Sequence, residues 1–357
     1  MMNKIAFEVA DNPANRILQF GGKPYLYFGG TAYLGLSIHP EFQELHVQGI
    51  KKYGINIGTS RINNVQLKLY RDTEEKLAER FAFTDALLTS SGYLASQLLY
   101  QYYSQEADKI FTAPNTHPAN SPGVKLNYPE LRREDWEKNT LREIHNSNKN
   151  TFLILSNSLD NLYPQKYSFE WIDGVDENKK VILIIDDSHG LGIVCENKSS
   201  VSYENIKKNN IEVLITASLA KGFNTDAGLI LGEKESLNKL RKHPVFVGAS
   251  PPSPAAVFAM RESENLYKRQ RQILLENIKT FRKLVNNSLI STEKFPVFTF
   301  PKESFYTSLL QRGFLISSFP YPNHDSKDLD RIVLSACHKH EDLEKLNEAL
   351  QFVSLKK

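Results

Sequence analysis

Val181-Ile182-Leu183-Ile184-Ile185-Asp186-Asp187-Ser188-His189 decides the fold. Five branched apolar residues run without alternation and stop at an acid. A strand wet on one face alternates apolar with polar, so an unbroken run belongs to a parallel strand covered on both faces. Val213-Leu214-Ile215 leads in the same way to Ser218-Leu219-Ala220-Lys221. Ligands of open α/β sheets gather beyond the carboxyl ends of such strands. The two segments therefore deliver an acid, a histidine and a lysine to one rim, with 35 positions between Asp186 and Lys221.

Working outward, strands alternate with helices. Ala86 to Thr89 leads through Ser90-Ser91-Gly92-Tyr93 into a helix reaching about Tyr103, and Thr151 to Leu155 and Gly228 to Gly232 read as further strands. Alternation of this kind predicts a mostly parallel sheet with helices on both faces. Upstream, Pro40 opens a helix that ends near Tyr53, with Gly54 in the left-handed capping position. Asp72-Thr73-Glu74-Glu75 reads as a capping box that starts a helix with Leu77, Ala78 and Phe81 inward. Downstream, the proline-rich Ser250 to Pro254 breaks the chain, and one long helix is expected from about Ala255 to Asn286. The remainder reads β-α-β-β-α, with strands at Pro296 to Phe300, Phe314 to Phe319 and Ile332 to Ala336, and a closing helix from Glu341 to Val353. The expected organisation is an arm (1–40), a large domain (41–252), a connecting helix (253–287) and a small α+β domain (288–357).

Composition limits the classes. A chain of 357 residues exceeds one ordinary core and fits one large and one small domain. Its 44 basic and 41 acidic residues nearly cancel, so no bulk attraction to nucleic acid or membrane is expected. No apolar stretch approaches the roughly 20 residues of a membrane-spanning helix, and residues 1–12 carry no signal-peptide pattern. Two cysteines make no disulfide framework, which suits a reducing cytosol.

A lone lysine after a strand is usually a solvated charge, but Lys221 lies between Ala220 and Gly222, where small neighbours let a bulky ligand approach. Asp186 ends a buried strand, where a carboxylate is partly desolvated and needs a partner. A loop anchor would explain it; a nucleoside-triphosphatase acid would not, because the chain contains no G-x-x-x-x-G-K-[ST] loop. Asp186 with His189 lacks the further ligands of a metal site. Ser91-Gly92-Tyr93 at a strand-to-helix junction makes a phosphate seat, although a serine N-cap alone explains the serine. His117 sits in a polar loop, where a histidine is more often solvated than functional. His338 and His340 precede a helix and read as structural or solvated. A lysine to hold pyridoxal phosphate (PLP) as a Schiff base, with a carboxylate to keep a proton on its ring nitrogen, is a set that PLP chemistry requires.

The motifs also keep an order that resembles one family. Tyr27-Phe28-Gly29-Gly30-Thr31-Ala32-Tyr33-Leu34-Gly35-Leu36 with His39-Pro40, Tyr53-Gly54 with Thr59-Ser60-Arg61, Ser91-Gly92-Tyr93-Leu94-Ala95, Asp186-Asp187-Ser188-His189-Gly190-Leu191-Gly192, Ser218 to Lys221, and Arg331-Ile332-Val333-Leu334-Ser335-Ala336 are similar to the motifs of the α-oxoamine synthases, fold-type-I PLP enzymes. The resemblance implies a large domain built on a mostly parallel seven-stranded sheet with a small α+β domain, and a cytoplasmic homodimer with a small amino acid and an acyl thioester as substrates. It implies that Lys221 carries PLP and removes the Cα proton, that Asp186 faces the ring nitrogen, and that His117 stacks on the ring. His189 would lie near the cofactor O3′ and position the acyl carbonyl. Ser91, Gly92, Tyr93 and Ser218 would hold the phosphate, Asn161 would stand where the family bonds O3′, and Arg331 would bind the substrate carboxylate.

Departures lie around this set. Thr31-Ala32 stands for Asn-Asp, Tyr70 for a histidine, Asn157 for a glutamate, Cys195 and Asn224 for glycines, and Val247-Gly248 for Ser-Thr. An aminotransferase on the same fold needs the same lysine and acid, and a non-catalytic partner subunit is a further alternative.

Overall fold

The computed structural model describes residues 10, 12–120, 132–201, 206, 208–286, 288–300, 304–320 and 326–355. In chain order the strands used below are β1 (Ile17–Phe20), β2 (Lys23–Phe28), β3 (Asp85–Thr89), β4 (Lys109–Thr112), β5 (Thr151–Asn157), β6 (Leu159–Asp160), β7 (Gln165–Lys166), β8 (Lys180–Asp186), β9 (Ile211–Ser218), β10 (Gly228–Gly232), β11 (Ile290–Ser291), β12 (Val297–Thr299), β13 (Phe314–Pro320) and β14 (Asp328–Val333). The helices are α1 (Pro40–Tyr53), α2 (Lys68–Phe81), α3 (Gly92–Glu106), α4 (Arg133–Asn146), α5 (Lys234–Leu240), α6 (Pro244–Val247), α7 (Pro254–Glu262), α8 (Glu264–Leu284), α9 (Tyr306–Leu310) and α10 (His340–Leu355). They form two compact units, one of residues 44–160 and 165–264, the other of 1–43, 161–164 and 265–357.

The first unit holds a sheet ordered β3-β10-β9-β8-β5-β4. The strands β4, β5, β8 and β9 run parallel, and β10 alone opposes its neighbours. Among the described residues the sheet has six strands where seven were expected. Val181 to Ile185 are all buried, as their unbroken apolar run requires. Leu87, Leu153, Ile182, Leu214 and Ile230 pack with Ala95, Leu98 and Leu99 of α3 on one face. The common direction places the last residues of β3, β5, β8 and β9 on one rim.

Two motif residues of this unit answer each other. Arg61 makes a two-pronged pair with Glu74 at 2.8 and 3.0 Å, and Glu74 also accepts from the Leu88 backbone N–H of β3 at 2.8 Å. The Arg61 guanidinium lies over the Tyr70 ring, whose hydroxyl donates to the Pro252 carbonyl at 2.7 Å. A buried charge is tolerated when its hydrogen-bonding needs are met in this way. The expected capping box does not form, because α2 begins five residues earlier, at Lys68. Its N-cap is Leu67, and Asp72 pairs along the helix with Lys68. Burial of Leu69, Tyr70 and Thr73 extends the apolar face N-terminally and outweighs the local capping signal. The single helix expected over 255–286 is interrupted at Ser263, whose hydroxyl donates to the Ala259 carbonyl at 2.6 Å. Gly54 adopts φ +76°, the left-handed geometry expected after α1.

The second unit holds a mixed sheet ordered β1-β2-β13-β14-β12-β11, with β2 parallel to β13. The Thr31–Leu36 motif packs on residues 335–337. The Ala336 N–H donates to the Tyr33 carbonyl at 2.9 Å, and Gly35 (φ +63°) has no room for a Cβ, which would meet the Cys337 nitrogen at 2.9 Å. His338 is buried against this knot. Its Nδ1 accepts from the Ser335 N–H at 3.0 Å, its Nε2 bonds the Tyr27 carbonyl at 2.8 Å, and its ring stacks on Phe28. His340 is exposed and pairs with Glu344.

Burial pushes the His338 imidazole down to about 4. The unfolded chain takes up that proton near pH 6.5, but the folded unit does so only near 4. The stability contributed by neutral His338 is therefore present above pH 6.5 and lost as the pH falls through 4. Urea denaturation at pH 7 and pH 4.5 should show a larger loss for the wild type than for His338→Gln; equal losses would remove His338 as the cause.

Candidate functional site

Strand register builds the site. Asn157 of β5, Asp186 of β8 and Thr216 of β9 stand side by side. Two residues beyond Thr216, Ser218 pairs with Gly228 of β10, which in turn pairs with Thr89. Turns continuing from these ends carry His189 and Lys221 together, with Lys221 Nζ 3.0 Å from His189 Nε2.

The two adjacent acids have separate surroundings. Asp186 is half-buried; its Oδ1 accepts from the Ser188 N–H at 2.9 Å and its Oδ2 from the Asn120 amide at 3.1 Å. Asp187 is fully buried and accepts from the hydroxyls of Ser158, Ser199 and Ser200 and from the Ser200 N–H. Burial pushes the Asp187 carboxyl up while these donors oppose the shift. Successive residues at a strand end point to opposite sides, so one acid reaches the rim and the other anchors the loop.

His117 lies exposed on the same rim, near enough to Asp186 and Lys221 to sense both charges. Crowding by protein atoms lowers its basicity first; Lys221 adds to this and Asp186 opposes it. The imidazole is therefore neutral at neutral pH. Its Nδ1 accepts from the Ala119 N–H at 3.2 Å, leaving the proton on Nε2.

Ser91 caps α3 by accepting from the Leu94 N–H at 3.1 Å. The first N–H groups of a helix have no partner within it and suit an anion. Gly92 lies directly against β9, where a Cβ would come within 2.5 Å of Ser218 Cβ. Gly228 is equally confined, because a Cβ would stand 2.1 Å from the Ser91 carbonyl. Both glycines are demanded by space, which an N-cap alone would not explain. Tyr93 is exposed beside them.

The first unit thus assembles Lys221, His189, Asp186, His117, Ser91, Gly92, Tyr93 and Ser218. Asn161 and Arg331 belong to the other unit, where they touch: Arg331 donates to the Asn161 carbonyl at 2.9 Å and lies over the Phe319 ring. Sequence reading missed Asn120 and Gln97, and it gave Ser188 no role of its own within its motif. They bond the site's backbone or its acid, and no periodicity marks such residues. Asn157 stands out in sequence as a departure, and the structure gives it work: it accepts from the His117 N–H at 3.2 Å and donates to the Asn115 carbonyl at 2.6 Å.

No family model matches the chain. Among curated proteins it is 25% identical over 354 residues to the 8-amino-7-oxononanoate synthase of Petrotoga mobilis, covering 92% of this chain and 88% of that one. It is 26% identical over 361 residues to a putative 8-amino-7-oxononanoate synthase of Aquifex aeolicus, covering 95% and 94%. Its fold is that of Sphingomonas wittichii serine palmitoyltransferase (TM-score 0.79, 18% identity, 96% of this chain and 90% of that one). It also matches Francisella tularensis 8-amino-7-oxononanoate synthase (TM-score 0.71, 19% identity, 93% and 98%).

Gly92→Ala should force β9 and α3 apart, at a cost of about 1–3 kcal/mol in chemical denaturation. Unchanged stability would show that the turn yields without disturbing Ser218.

Proposed function

We propose that this chain, an α-oxoamine synthase by fold and by similarity along nearly its whole length, is a PLP-dependent acyltransferase most like 8-amino-7-oxononanoate synthase. It joins a small amino acid to an acyl thioester, forming a carbon–carbon bond and releasing the thiol and carbon dioxide. The observation that carries this reading is the 3.0 Å contact between Lys221 Nζ and His189 Nε2 on the rim that also holds Asp186.

The residues present fit the cofactor. A lysine amine and a carboxylate share one rim, and a helix N-terminus stands beside it at a place where a Cβ has no room. Bound PLP supplies an electron sink for a carbanion at the amino acid's Cα. Ser91, Gly92, Tyr93 and Ser218 are assigned to its phosphate, Asp186 to the proton on its ring nitrogen, and neutral His117 to the ring face. Asn161 is assigned to O3′ and Arg331 to the substrate carboxylate, for which a guanidinium offers a two-pronged match.

Lys221 would hold the cofactor through Nζ, and that amine, once displaced by the amino acid's own nitrogen, would accept the proton from the amino acid's Cα. His189 orients that amine and hydrogen-bonds the acyl carbonyl as it is attacked.

A homodimer accords with the apolar side chains this unit exposes: Val47, Ile50, Ile55, Ile62 and Val65, with Ile55 and Val65 each 72% accessible. Both cysteines are free thiols, in keeping with a cytoplasmic protein, and no helix among the described residues is long and apolar enough to cross a membrane.

The purified protein should bind PLP with the visible absorbance of a lysine-linked cofactor, and Lys221→Ala should lose that band. Asp186→Asn should retain PLP but stop exchange of the amino acid's α proton, followed by NMR in deuterated water. Free-thiol release from acyl-CoA and acyl-carrier protein across a panel of small amino acids tests the reaction itself. Amino-group exchange with a 2-oxo acid, without thiol release, would replace the synthase reading with an aminotransferase.

A further inference from the structure

We propose that Asn120 is a positioning residue for Asp186, holding the carboxylate in place at a cost in stability. The inference rests on the PLP reading above and assigns it a residue that none of the motifs contains.

Asn120 closes the turn Pro118–Asn120 and is 2% exposed. Its Nδ2 donates to Asp186 Oδ2 at 3.1 Å, while its Oδ1 is buried with no hydrogen-bond partner among the described residues. Turning the amide over would set Oδ1 against a carboxylate oxygen, and the two would repel. The donor edge must face Asp186, and the acceptor edge is left without a partner among the described residues. A stranded buried acceptor is costly. Leucine has nearly the same shape and no acceptor, so as a filler of this turn it would serve better.

The bond completes a grip on the carboxylate from two directions. Ser188, on the acid's own turn, holds Oδ1 through its N–H at 2.9 Å, and Asn120 holds Oδ2 from a separate segment. Together they stop rotation about the Cβ–Cγ bond. The turn bearing Asn120 is itself tied down. The Ala119 carbonyl accepts from Gln97 Nε2 of α3 at 2.8 Å, and the Asn120 N–H donates to the His117 carbonyl at 2.9 Å. One turn thereby links the acid for the ring nitrogen, the imidazole for the ring face and the helix whose first turn is assigned to the phosphate. A group positioned this way is preorganised for its ligand.

The test separates binding from stability. Apo Asn120→Leu should melt no lower than the apo wild type, while its Kd for PLP, titrated by visible absorbance, should rise about tenfold, the effect of losing one hydrogen bond to a charged group. In an Asp186→Asn background the same substitution should change the Kd by less than about twofold, because the carboxylate it serves is gone. If Asn120→Leu does not fold, Asn120→Ala carries the same comparison. A Kd within about twofold of wild type in the Asp186 background would overturn the proposal. So would equal weakening in both backgrounds together with a lower melting temperature, which would mark Asn120 as merely structural. A wild-type protein that binds no PLP would instead overturn the cofactor reading.

Discussion

Parallel pairing between β5, β8 and β9 is the constraint on which the rest depends. It sets Asn157, Asp186 and Thr216 abreast and brings Ser218 out two residues later. Shifting β8 by a single residue would exchange the faces of Asp186 and Asp187. The buried faces forbid that slip, because Val181 to Ile185 are packed on both sides. The position of the acid is thus fixed by hydrophobic burial and owes little to the acid itself.

Around this frame the polar groups fall into two sets. One presents charge and donors to the rim: Lys221, His189, Asp186 and the first turn of α3. The other immobilises the backbone carrying them: Asn157 on the His117 loop, Gln97 on Ala119, and the serines on Asp187. Asn157, one of the departures from the motifs quoted above, lies in the second set. A brace tolerates exchange of one hydrogen-bonding group for another more readily than a reacting group does.

Much of the fold was legible in the sequence because its signals are local. Unbroken apolar runs marked β8 and β9, and Gly54 marked the end of α1. The start of α2 was misread at Asp72 because the capping signal is local, whereas burial of Leu69 and Tyr70 depends on partners far along the chain. The helix break at Ser263 escaped notice for the same reason: one serine hydroxyl bonding back to Ala259 leaves no trace in periodicity. At the site, the lysine, acid and histidine were visible as motifs. Asn120 was not, since its role comes from a contact 66 positions away.

The caged Asp187 has a further consequence. Its carboxyl is spent on Ser158, Ser199 and Ser200, three hydroxyls drawn from segments on either side of β8 in sequence. The loop that follows Asp186 is therefore anchored chiefly through Asp187, with Asp186 adding only the bond from the Ser188 N–H. A change at Asp187 would strike the scaffold, whereas a change at Asp186 would fall chiefly on the rim. Two identical residues side by side thus divide the work, one facing the site and the other holding the loop beneath it.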